Sequence, residues 1–164
     1  MSGPEEAVVG SCSGPVTILI AETDRIVRWA IAETLKHAGY ATTEVCTAAE
    51  ALAVLEGPAP VGMLITGRSI VGGGVALAHL VHHGWPSIGI IVTSAIGRHH
   101  RYDLPPGTRL LGKPYMFSDI VREVESGLAS VREWASACAQ THDPLVSLMT
   151  SVGTVPYSAD GIVA

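Results

Sequence analysis

Strand-length apolar runs alternate with helix-period segments five times along this chain, and that alternation constrains the fold more than any other feature. Val16 to Ala21 (VTILIA) is short, apolar and β-branched, as a strand covered on both faces would be, and polar Glu22, Thr23 and Asp24 end it. From Arg25 to His37 the apolar residues Ile26, Val27, Ala30, Ile31 and Leu35 recur at helical spacing, and Gly39 closes the segment. Tyr40 to Cys46 reads as a second strand. Thr47, with Glu50 three residues later, carries a capping-box signature for a helix over Ala48 to Glu56, which Gly57-Pro58 stops. Met63 to Thr66 reads as a third strand, Gly72 to Gly74 as a loop, and Val75 to His83 as a third helix. Ile88 to Thr93 is a fourth strand. Pro105-Pro106-Gly107 cannot continue a helix, so the fourth helical segment is predicted to be short or irregular. Arg109 to Leu111 is a fifth strand. Ser118 is the expected cap of a last helix whose apolar stripe runs from Ile120 to Cys138.

Such an order argues for an α/β doubly wound parallel five-stranded sheet with right-handed crossovers and helices on both faces. In these sheets the functional crevice lies beyond the carboxyl ends of the strands. That topology gathers Glu22, Thr23, Asp24, Gly67, Thr93, Ser94 and Lys113 at one rim. A composition of 48% hydrophobic and 15% charged residues is apolar enough to fill a core. The net charge of -5 contains no block of like charge and gives no reason to expect nucleic-acid binding. Cys12, Cys46 and Cys138 have neither metal spacing nor a disulfide pattern and fit a reducing compartment. No apolar run approaches the ~20 residues of a membrane helix, and acidic Glu5 and Glu6 do not suit a secretory signal. A cytoplasmic location is the expectation.

Four pieces together carry a family resemblance over roughly Val16 to Leu128. ILIAETD, GYATTEVCTAAEALAVL, HHGWPSIGIIVTSA and RLLGKPY, in this order and spacing, resemble the receiver domain of two-component response regulators. The resemblance implies a flavodoxin-like (βα)5 fold with an extended C-terminal helix. It also implies a site in which an aspartate ending the third strand accepts a phosphoryl group from a histidine kinase. There, acidic residues after the first strand hold Mg²⁺, a hydroxyl on the fourth strand senses the phosphoryl group, and a lysine pairs with it. Position by position, Lys113 matches the lysine, Thr93 the switch hydroxyl and Glu22 the first acidic residue. Thr23 falls where the second acidic residue belongs, and Gly67 falls where the acceptor aspartate belongs. Glycine offers no nucleophile, and one carboxylate with a hydroxyl is a poor ligand set for Mg²⁺. Leu110 replaces the usual aromatic three residues before the lysine, and the loop after Gly67 lacks the Met-Pro pair. Thr66 and Ser69 flank the gap, but strand alternation points Thr66 away from it. The implied protein is a degenerate receiver, or pseudo-receiver, with no catalytic residue and no resident cofactor.

The expected function is a signalling module of a phosphorelay, not an enzyme, acting through a protein partner: a histidine kinase, another signalling protein, or a second copy. A homodimer would use the fourth helical segment, the fifth strand and the last helix. The alternative is a small flavodoxin-like enzyme or nucleotide binder using the same crevice. The glycines at Gly72 to Gly74 lack the Lys-Ser/Thr ending of a P-loop and follow the third strand, so a flexible turn is the better reading. His79, His82 and His83 share a helix face but have no converging cysteine, and a solvated helix end outweighs zinc. The organisation expected is a disordered segment over 1–15, a receiver-like domain over 16–128, and a helical extension with a flexible tail over 129–164.

Overall fold

The computed structural model of the protein describes residues 15–95 and 98–140. The predicted disordered segment, apart from Pro15, and the tail from Thr141 onward lie outside the described residues. Five strands alternate with helices: β1 (Thr17–Ala21), α1 (Arg25–His37), β2 (Ala41–Val45), α2 (Ala48–Glu56), β3 (Val61–Gly67), α3 (Gly74–Gly84), β4 (Gly89–Ser94), β5 (Arg109–Gly112) and α4 (Phe117–Gln140). A 3₁₀ helix, Arg98–Asp103, stands where a fourth regular helix would cross from β4 to β5. It is short for the reason read in the sequence, since Pro105 and Pro106 follow it after Leu104.

All strand pairs are parallel, in the order β2-β1-β3-β4-β5. Alternation along each strand divides the core between the two faces. Ile18 and Ile20 of β1 join Met63, Ile65 and Ile91 beneath α1 and α4, with Ile31, Leu35, Ile120 and Val124 completing the layer. Leu19, Leu64 and Val92 point the other way, into a layer closed by Leu55 of α2 and by Leu77 and Val81 of α3. Burial on both faces is why these strands read as continuous apolar runs.

Local capping sets where the helices begin. Thr47 accepts a hydrogen bond from the Glu50 N–H at 3.1 Å, and the Glu50 carboxylate reaches back to the Cys46 N–H at 2.8 Å. The last helix differs from expectation. It starts at Phe117, so Ser118 lies inside its first turn, and the Asp119 carboxylate reaches back to the Met116 N–H at 3.0 Å. Its length is as expected of an extended last helix, since α4 runs on past Leu128 to Gln140. The three glycines form a close-packed turn. Gly72 and Gly73 have φ of +94° and +87°, and a Cβ on Gly74 would collide with the Gly67 carbonyl oxygen.

Candidate functional site

β1 delivers Glu22 to the rim, where the residue is only 7% exposed. Its backbone is held from two sides: its N–H donates to the Val45 carbonyl at 3.2 Å, and Arg28 Nη1 donates to its carbonyl at 2.6 Å. Arg28, on the second turn of α1, also pairs with Glu44 at 3.7 Å. The Glu22 carboxylate accepts from the Asp24 N–H at 3.2 Å through Oε1 and meets Lys113 Nζ at 3.3 Å through Oε2. Lys113 arrives from the end of β5, where its N–H donates to the Ser94 carbonyl at 2.7 Å.

Gly67 ends β3 directly beside Thr93 of β4. An added Cβ at Gly67 would lie 2.7 Å from Glu22 Oε2 and 3.2 Å from the Glu22 carboxyl carbon. The volume in which a side chain at position 67 would start is therefore filled by the Glu22 carboxylate. In effect, one carboxylate from β1 stands beside the lysine where a carboxylate from β3 would be expected.

The remaining expected residues divide. Thr23 is exposed. Asp24 caps α1, its Oδ1 accepting from the Ile26 and Val27 N–H groups at 2.8 and 3.2 Å. Thr66 is fully buried and spends its hydroxyl on the Gly67 carbonyl at 3.3 Å. Thr93 is 2% exposed, and its hydroxyl has no hydrogen-bond partner among the described residues. Beside it lies Tyr115, which sequence reasoning missed. Burial pushes the Tyr115 phenol above its ordinary pKa, the Glu22 carboxylate adds to the rise, and the Thr93 hydroxyl offsets part of it. Among the described residues neither hydroxyl meets hydrogen-bond geometry with a partner. The only sequence cue to Tyr115 is its place two residues after Lys113, across the Lys113-Pro114 bond, which is cis.

The donor set does not fit Mg²⁺. The ion takes several oxygen ligands in a strict octahedron. Here the Glu22 carboxylate is committed to Lys113 and to a backbone N–H, Asp24 to the helix cap, and position 67 supplies no side chain. Among the described residues no group of three or more His, Cys, Asp and Glu side chains converges on a common point. His79 instead bonds the Asp103 carbonyl at 2.8 Å, tying α3 to the 3₁₀ helix, and His82 packs edge-on against His83. Arg68, immediately after Gly67, pairs with Asp103 at 3.1 Å and secures the same segment from β3.

Solved structures share this architecture. A response regulator receiver protein from Sinorhizobium medicae is 23% identical, with a TM-score of 0.67 over 71% of this chain and 97% of that one. The chain has the flavodoxin-like fold of receiver domains. A CheY-like receiver domain protein from Methanospirillum hungatei is 19% identical, with a TM-score of 0.67 over 73% of this chain and 98% of that one. NtrX from Brucella abortus, a longer chain, is 18% identical, with a TM-score of 0.69 over 78% of this chain and 29% of its own. No protein-family model matches the sequence, and no curated protein does. No helix among the described residues is long and apolar enough to cross a membrane.

Proposed function

We propose that this chain is a receiver-like signalling module of a two-component phosphorelay that works by protein–protein binding and is not phosphorylated at the usual position. The observation that carries this reading is the Glu22 carboxylate lying 2.7 Å from where a Cβ of residue 67 would be, paired with Lys113. A phosphoryl group entering this site would find no nucleophile on β3, and its counter-charge on Lys113 already has a partner. The failed donor set supports weak or lost Mg²⁺ binding in the same way, and phosphoryl transfer in such a site depends on metal and positioned charge rather than on other protein chemistry. The module is accordingly a binding protein, not an enzyme, and a cytoplasmic location goes with that role.

Without a covalent switch, its state is set by occupancy, because a partner shifts a conformational equilibrium only through its differential affinity for the two states. The partner we favour is a histidine kinase or another signalling protein, with a second copy as the homodimeric case. The face suited to either combines the 3₁₀ helix, β5 and the outer side of α4. On that face Tyr102 is exposed, and Arg109 pairs with Glu123 at 2.9 Å. The reading is tested by incubating the protein with acetyl phosphate and Mg²⁺ and measuring the intact mass. No adduct is expected. A stoichiometric phosphoryl adduct labile to hydroxylamine would overturn it.

A further inference from the structure

At the pole of the sheet opposite the rim, where β4 and β5 begin, an apolar groove of about 290 Å³ opens to solvent. Pro86, Ile88, Ile90, Pro106 and Val131 form its walls, with His82 at one lip. A second hollow of about 250 Å³ continues it along α4, past Gly127 to Met63. Glycines make this space. A Cβ at Gly89 or at Gly127 would crowd the end of the Met63 side chain.

Val131 is the last residue of α4 that lines the groove, and the helix continues nine residues further to Gln140. At ~1.5 Å per residue, that carries the chain about 14 Å beyond the groove. Thr141-His142-Asp143-Pro144 follows, and Pro144 disfavours a helical conformation at Asp143, so the chain can change direction there. Next comes the densest apolar cluster of the tail, Leu145-Val146-Ser147-Leu148-Met149. Extended backbone covers at most ~3.3–3.6 Å per residue, so the steps from Gln140 to Leu145 span about 17 Å. The linker is just long enough to bring Leu145 back to the level of Val131.

We propose that Leu145–Met149 folds back and docks, in cis, into the groove between the starts of β4 and β5 and α4. A tether this short sets an effective concentration in the millimolar range, so modest apolar burial suffices to hold the segment in place.

Hydrogen exchange on the full chain tests this. The amides of Val146 to Met149 are expected to exchange at least tenfold more slowly than free peptide, about 1.4 kcal/mol of protection. Val131→Lys in the groove wall and Leu145→Ser/Leu148→Ser in the tail should each return them to free-peptide rates. Circular dichroism of each variant checks that the domain remains folded. Free-peptide rates in the unmodified chain would overturn the proposal. So would protection that survives Val131→Lys, and so would protection that rises with protein concentration, which would assign the segment to a second copy.

Discussion

Replacing Gly67 with alanine is expected to destabilise the fold through a residue 45 positions away in sequence. The new Cβ would lie 2.7 Å from Glu22 Oε2, which is 0.7 Å inside the 3.4 Å at which ordinary contact begins. Glu22 must swing away, and it loses Lys113 at 3.3 Å and the Asp24 N–H at 3.2 Å together. Hydrogen bonds to a charged group contribute ~1.5–3 kcal/mol. With the Lys113 side chain 33% exposed, solvent screening brings the loss to about 1 kcal/mol. A rotamer pushed off its minimum adds ~0.5–1.5 kcal/mol. Against these, alanine recovers ~0.5–1 kcal/mol over glycine in a strand. The net cost is about 0.5–2 kcal/mol, a fall of roughly 0.3–1 M in the urea midpoint at unchanged slope. The decisive measurement is the double-mutant cycle with Glu22→Ala. Once the carboxylate is gone the methyl group has room, so Gly67→Ala should be neutral or slightly stabilising in that background, with a coupling of about 1–3 kcal/mol. Equal costs in both backgrounds would refute the claim that Glu22 fills the space of residue 67.

Asp24→Ala should cost ~1 kcal/mol in urea unfolding through loss of the α1 cap, and Asp24→Asn should retain most of it. Gly74→Ala forces a methyl group into the Gly67 carbonyl, where backbone must move. It should cost more than any of the other single replacements by thermal unfolding, and an unchanged midpoint would disprove the close packing of the turn. The Tyr115 phenol is raised above its ordinary value of 10.0 because the fold favours its neutral form. Its contribution to stability is therefore complete below the unfolded value and is lost as pH rises through the folded one. Tyr115→Phe should flatten the alkaline fall in stability above pH ~10, and an identical alkaline limb in both proteins would contradict that assignment.

The strands, the helices and the short fourth crossover are legible in the sequence because they rest on local signals: β-branched runs, helical spacing, the Thr47-Glu50 cap, and two prolines in succession. Ser118 misled because a serine before an apolar stripe imitates a cap, whereas the helix takes an earlier start at Phe117 with Asp119 closing its first turn. The triple glycine also misled. Freedom to bend and freedom from a Cβ look identical in a sequence, and it is the Gly67 carbonyl packed against Gly74 that distinguishes them. The rim was half visible. The inferred parallel sheet and the receiver resemblance mark Glu22, Thr93 and Lys113 as neighbours, but the parallel register of β1 with β3 is what sets the Glu22 carboxylate over Gly67. Arg28, which steadies the Glu22 carbonyl from α1, left no pattern to read, and Tyr115, packed against the core layer beneath α1 and α4, left only its place after Lys113.

The carboxylate lodged over Gly67 also sets how this site has to be rebuilt by design. Any larger residue introduced at position 67 meets an occupied volume, so an aspartate there cannot be accommodated without displacing the β1 carboxylate from Lys113. The order of changes matters: position 22 must yield before position 67 can, and a carboxylate on β3 inherits Lys113 only after Glu22 has released it.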